Sequence, residues 1–283
     1  MDATSPRSVF HAGEEALQAR AGARERLAEA GPRVIRAAMP EQHRDFFVQL
    51  PFAVLGTLAP DGQPWATAVA GPVGFIASPA ADRLHLGARP LPDDPAAAGL
   101  AAGAPVGLLG IQPHTRRRNR ANGRVAAMDA DGFTLAVEQS FGNCPKYIHA
   151  RRVTHAPRSA PPEPVRTGAC LDADARDLIR RADTCFIASA HPDALRADSA
   201  AQGVDVSHRG GRPGFVGVGG DHLWVPDFAG NQYFNTLGNL LLNPQAGRKE
   251  LEQCVTESAK SWSFPTGQTV SPVQCSFFLQ SSQ

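Results

Sequence analysis

One order of short segments runs through this chain twice. Upstream, "FAVLGTL" is followed by the turn "APDGQP", then "WATAVAG", "VGFIAS", "RLHLGAR", the small-residue stretch "DPAAAGLAAG" and the apolar run "APVGLLGI". Downstream of the proline-rich connector "HAPRSAPPEPVR", the series reads "DTCFIASAH", "GVDVSHRGGRPGFVGV", "DHLWVPD" and "NTLGNLLLNPQAG". The Gly-Phe-aliphatic core shared by "PVGFI" and "RPGFV" aligns the two series. A tandem duplication constrains the fold more than composition does, because each copy must fold as the same layered unit. The runs have strand length and are punctuated by Gly, Pro and Asp. "RRRNRANGRVAAMD" and "GFTLAVEQS" complete the strand set of the first copy. Many short strands around one short helix read as a small β-barrel.

This order sets the expected boundaries. Residues 1–44 form an N-terminal helical arm, because residues 14–38 are rich in Ala, Glu, Arg and Leu, with a break expected near Gly31-Pro32. Residues 45–154 form the first unit and 155–168 a stiff, exposed linker. The second unit takes 169–247 and opens on a helix that Asp172 or Asp174 could cap. It then stops short. From Arg248 to the end alanine occurs once and serine seven times, and charges stand where a buried strand is needed. Residues 248–283 therefore form an atypical tail, either foreign to the fold or a divergent extension.

The bulk properties mainly exclude. The chain has 283 residues and a formal net charge of +1, which gives no general attraction to nucleic acid or an anionic membrane. No apolar run approaches the roughly 20 residues that span a bilayer, and the polar N-terminus has no leader pattern. Five cysteines lack C-x-x-C spacing, and the nine histidines lack a metal-ligand pattern. A cytoplasmic protein with reduced thiols and no metal is the expectation.

Three stretches carry candidate chemistry. Read as a strand, "HTRRRNRANGRV" puts Arg116, Arg118, Arg120, Asn122 and Arg124 on one face. Such a row needs water, carboxylates or a bound anion. It is either a solvated basic edge or a phosphate grip, which guanidinium forks suit. "DVSHRGGRPGFV" sets Ser207, His208, Arg209 and Arg212 around a double glycine that permits close approach of a ligand. "DFAGNQYFNTLGNLLLNP" spaces Asn231, Asn235 and Asn239 four apart, on one face if helical. This is either a capped, polar helix start or a set of neutral donors for an anion.

These motifs resemble those of the pyridoxamine 5'-phosphate oxidase-like, FMN-binding split-barrel family, in particular its bacterial flavin-nucleotide-binding members. The resemblance is carried by "LPFAVLGTLAPDGQPWATAVAGPVGF", "GLLGIQPHTRRRNRANGRV", "QSFGNCPKYIHAR", "DVSHRGGRPGFV" and "VPDFAGNQYFNTLGNLLLNPQAG". It implies a mainly β chain of tandem six-stranded split barrels, the second incomplete, with FMN between two barrels. The pair is either a homodimer or the two units of one chain. It further implies Ser207, Arg209 and Arg212 as strand-side contacts and Asn231, Asn235 and Asn239 as helix-side contacts. The Arg row, Arg116 and Arg118 included, would form the facing wall. The implied function is a flavin-dependent oxidoreductase acting with a small-molecule substrate or electron donor. A flavin- or haem-binding module without turnover and an inactive truncated form are the alternatives. His208 and His149 are candidates for acid or base, and no catalytic residue is assigned.

Overall fold

The computed structural model describes residues 8–153, 155, 171–219, 222–243 and 269–272. Helices α1 (Ala12–Arg20) and α2 (Arg24–Val34) open the chain, and α3 (Glu41–Val48) follows. The break in the arm lies at Gly22, in the left-handed region at φ +64°, not at Gly31-Pro32. Pro32 sits in the last turn of α2, where it removes one backbone donor without ending the helix. The boundary drawn at residue 44 falls inside α3.

Seven strands then form one antiparallel sheet, one for each run quoted from the sequence, where a six-stranded barrel was expected. They are β1 (Phe52–Leu58), β2 (Pro64–Ala70), β3 (Ile76–Ala80), β4 (Arg83–Leu86), β5 (Pro105–Gln112), β6 (Arg117–Met128) and β7 (Phe133–Gly142). Their order is β2-β1-β5-β6-β7-β4-β3, and the two edge strands do not pair with each other, so the sheet is not closed. Its core gathers Phe46, Phe47, Leu55, Ile76, Leu84, Leu108, Val125, Phe133 and Leu135. The protein is mainly β with flanking helices, consistent with a split barrel.

Beyond residue 170, α4 (Ala173–Arg181) is capped by Asp172, whose Oδ1 accepts from Ala175 N at 2.8 Å. Strands β8 (Thr184–Ala190) and β9 (Val204–Gly210) pair with each other. A second sheet holds β10 (Gly217–Gly219), β11 (His222–Asp227) and β12 (Thr269–Pro272), and α5 (Asn235–Leu242) follows β11. The turns after β2 and after β9 have the same geometry. Phe75 N donates to Pro72 O and Phe215 N to Arg212 O, both at 2.9 Å, with Gly74 and Gly214 at φ +96° and +85°. A β-carbon on Gly71 or on Gly211 would stand 2.6 Å from the β-carbon of the following phenylalanine. Strand β12 brings four residues of the tail onto β11, as β7 lies on β4. The rest of the tail and most of the connector lie outside the described residues.

The two parts pack face to face. Val54, Ala66 and Leu109 meet Ala188 and Val206, flanked by Phe52 and Phe186. Strand β9 approaches so closely that a β-carbon on Gly107 would lie 2.8 Å from Val204 O and 3.0 Å from Asp205 Cα. This contact lays β9 beside the arginine-bearing strand β6.

Candidate functional site

The seam between β6 and β9 is polar because alternation on both strands aims the same kinds of side chain at each other. On β6 the inward residues are Arg118, Arg120, Asn122 and Arg124. On β9 they are Asp205 and Ser207, with His208 reaching the outer end. Arg120 is 5% exposed and lies at the centre. Its Nη1 stands 2.7 Å from Asp205 Oδ1 and donates to Asn235 Oδ1 at 2.7 Å, while Nη2 donates to Ser207 Oγ at 2.5 Å. Ser207 Oγ donates to Asp205 Oδ2 at 3.2 Å and accepts from Thr236 Oγ1 at 2.7 Å. Asn122 Nδ2 donates to Asp205 Oδ1 at 3.3 Å. Arg124 Nη2 donates to the carbonyls of Ala194 and Ala197. Arg120 also lies over the Phe141 ring, 5.5 Å from its centroid.

The arm supplies an unforeseen member. Glu14 Oε1 accepts from Asn235 Nδ2 at 2.6 Å, and its Oε2 accepts from His11 N at 2.9 Å. Burial pushes this carboxyl up to about 8, and the nearby Asp205 charge adds to the rise against the pull of Arg120. The inner end of the seam is therefore hostile to a further negative charge.

The outer end has the opposite character. Arg118 Nη1 donates to His208 Nδ1 at 2.9 Å and to His208 O at 3.3 Å, and Nε is buried without a partner. Among the described residues no carboxylate pairs with Arg118. Burial, with Arg120 and Arg209 as like charges, lowers it to about 10, so it stays cationic. Burial and the same kind of repulsion, from Arg118 and Arg209, hold His208 down at about 3. A guanidinium only donates, so neutral His208 must present the Nδ1 lone pair. Arg209 reaches Asp227 at 3.6 Å. Tyr147 and Phe228 stand beside this corner with ring centroids 5.0 Å apart, and Tyr147 O lies against Gly210.

Residues 39–163 match the sequence model of the family described as Pyridoxamine 5'-phosphate oxidase. Through this stretch the chain is similar to that family. The match takes in β1 to β7 and the whole arginine row. Two solved structures are similar to parts of this chain. One is the solution structure of an N-terminal domain, 22% identical over 36% of this chain and 85% of that one, with a TM-score of 0.26. The other is the FAD and heme binding protein from Mycobacterium smegmatis, 14% identical over 50% of this chain and 96% of that one, with a TM-score of 0.25. At such TM-scores neither likeness carries an argument. No curated protein matches the chain.

The residues named from the sequence do not all meet. Ser207 and Asn235 do, through Arg120. Asn239 is buried and donates to Ser189 Oγ at 3.1 Å. Asn231 is not on the helix face expected for it, because α5 begins only at Asn235; its Oδ1 accepts from Tyr233 N. Arg116 does not join the row. It holds φ +55° in the turn before β6 and is exposed. Arg212 is exposed in the β9–β10 turn. His149 Nε2 lies 2.8 Å from Gly211 O. Asp205, two residues before Ser207, was legible from strand alternation. Glu14 was not, since it looks like an ordinary third residue of a capped helix.

Proposed function

We propose that this chain binds a flavin nucleotide, FMN, in the β6–β9 seam and works as an oxidoreductase on a small-molecule substrate or electron donor. The observation that carries the reading is Arg118, a half-buried guanidinium with an unpartnered Nε and no carboxylate. A dianionic phosphate supplies what Arg118 lacks, and Arg209 is the second cation within reach of the same corner. The phosphate belongs there and not on the asparagine face, because Asn235 is already held between Glu14 and Arg120, beside Asp205. Bound flavin supplies reversible hydride and electron chemistry, which the protein positions and shields. Buried and neutral, His208 takes no acid role near pH 7; it orients Arg118.

Two units of one chain stand in for a barrel pair on this proposal, and one flavin binds per chain. The matching turns at Gly71 and Gly211 align Thr67 with Ser207. In the first unit Thr67 Oγ1 donates at 2.5 Å to Asp94, whose Oδ1 caps Ala96 N. That carboxylate fills the place a second ligand would need. Among the described residues no helix is long and apolar enough to cross a membrane, and the free thiols Cys144 and Cys185 suit the cytosol.

Mass spectrometry of the denatured, purified protein, with titration of FMN into the stripped chain, tests the reading. One FMN per chain is expected, with Arg118→Gln weakening it about tenfold or more, as loss of a charged hydrogen bond implies. Bleaching by a nicotinamide donor separates an enzyme from a holder. Unaltered FMN affinity in an Arg118→Gln, Arg209→Gln double variant would refute the site.

A further inference from the structure

Helix α1 lies directly on α5, backbone against backbone. A β-carbon on Gly13 would stand 2.2 Å from Gly238 O, and one on Gly238 would stand 2.6 Å from Glu14 Cγ. No side chain fits between the helices at that crossing. From this position Glu14 reaches Asn235 and so fixes the side chain that Arg120 grips.

The arm also clamps the loop before α5. Gln18 Nε2 donates to Tyr233 O at 3.3 Å, Arg26 Nη2 donates to Gln232 Oε1 at 2.7 Å, and the Phe10 ring packs on Tyr233 at 5.7 Å. Within this loop Gln232 and Phe234 both hold φ +62°, a region that residues with a β-carbon enter at a cost. The docked state leaves the fully buried Gln18 Oε1 and the Arg120 Nε without hydrogen-bond partners. Strain and unmet polar atoms thus occur where the arm meets the seam, and a detached arm would let water reach Gln18 Oε1.

We infer that α1 is an internal competitor for the seam: docking of its Glu14 side chain and entry of a flavin nucleotide past Arg118 exclude each other. This inference rests on the flavin reading above and adds its regulation. A ligand lodged at Arg118 that extends along β6 meets the closed Arg120–Ser207–Asn235 contacts, 2.5–2.7 Å apart. These contacts open only when Asn235 is free to turn, and Glu14 prevents that while α1 is docked. Near neutral pH the buried carboxyl is protonated and sits in the socket without an ionic penalty, which suits a plug better than a permanent ion pair. The apparent affinity for the ligand is then reduced by the fraction of chains whose arm is released.

The full-length chain tests this through Gly13→Ala, which lies on the arm and outside the seam. Amide hydrogen exchange over residues 14–20 reports the arm, and flavin fluorescence quenching reports FMN affinity. Gly13→Ala is expected to speed exchange in α1 and to tighten FMN binding about tenfold. In the wild-type chain, saturating FMN is expected to speed exchange in α1; this second arm of the experiment stands even if the variant folds poorly. Slower or unchanged exchange in α1 on adding FMN overturns the inference, as does a freed arm with unchanged FMN affinity. Absence of FMN binding in both forms overturns the flavin reading itself, and the competition with it.

Discussion

Replacing Glu14 by Gln should reverse its effect on stability between acid and alkaline pH. The Glu14 carboxyl ionises at an ordinary 4.5 in the unfolded chain and at about 8 in the folded one. Between those values the unfolded chain binds fewer protons, so folding weakens as pH rises. Stability is complete below about 4.5, falls through neutrality, and flattens above about 8. At about 1.4 kcal/mol per pH unit the whole loss is about 5 kcal/mol, an upper bound because the arm can detach and rehydrate the carboxylate first. The groups facing Glu14 are His11, Asn235, Arg120 and Asp205. His11 is held down at about 4, mainly by burial and then by His191, and is neutral across the window. Glutamine has nearly the same shape and no proton to lose. Its amide oxygen can serve either Asn235 Nδ2 or His11 N, and its amide nitrogen opposes the other, which costs about 1 kcal/mol. Glu14→Gln is therefore expected to be about 1 kcal/mol less stable than wild type below pH 4.5, nearly equal to it at pH 5, and up to about 3 kcal/mol more stable at pH 8. Urea unfolding followed by tryptophan fluorescence at pH 4, 5, 6, 7 and 8 gives the comparison directly. Parallel wild-type and variant profiles from pH 5 to 8 would show that Glu14 ionises normally, and the buried socket would have to be given up.

Arg120→Met should cost about 3–5 kcal/mol, because it leaves Asp205 as a buried charge without its cation; adding Asp205→Asn should restore much of that. A double-mutant cycle in urea would show an additive pair if the contact were weak. Gly107→Ala places a methyl group between β5 and β9 and should lower stability by about 1–3 kcal/mol, with a matching fall in the melting temperature. An unchanged melting temperature would mean that β9 is free to move away from β5.

Much of the fold was legible, and the reason is local. Period-two alternation around "APDGQP" and the apolar "APVGLLGI" specify strands whatever lies elsewhere, and Asp172 announces its helix. The same alternation correctly aims Arg118, Arg120, Asn122 and Arg124 at one surface. It fails at Arg116 because a strand's first residue is set by the turn before it, and "QPHT" forms a tight helical turn that leaves Arg116 left-handed. Spacing of four fails at Asn231 for a related reason. The periodic argument assumes a helix that includes "NQYF", whereas Gln232 and Phe234 adopt left-handed backbone and delay α5 to Asn235. Nothing local tells that Glu14 meets Asn235, 221 residues away.

The matching turns after β2 and β9 need not carry matching sites. Thr67 and Ser207 stand at aligned positions, and each hydroxyl faces the start of a short helix. The first meets Asp94, whose short side chain is fixed by capping Ala96. The second meets Asp205 on its own strand, Thr236 and the Arg120 guanidinium, and only through Asn235 is a further carboxyl, Glu14, brought in by a separate helix. A carboxylate held by its own cap cannot leave without unwinding the helix start, whereas one borne by α1 leaves when α1 does. Charge follows the same division. No arginine row faces Thr67 from the described second unit, while β6 turns Arg118 and Arg120 toward β9. The asymmetry therefore lies in which element carries the releasable carboxylate and which strand carries the cations, and both favour the anion corner proposed at Arg118.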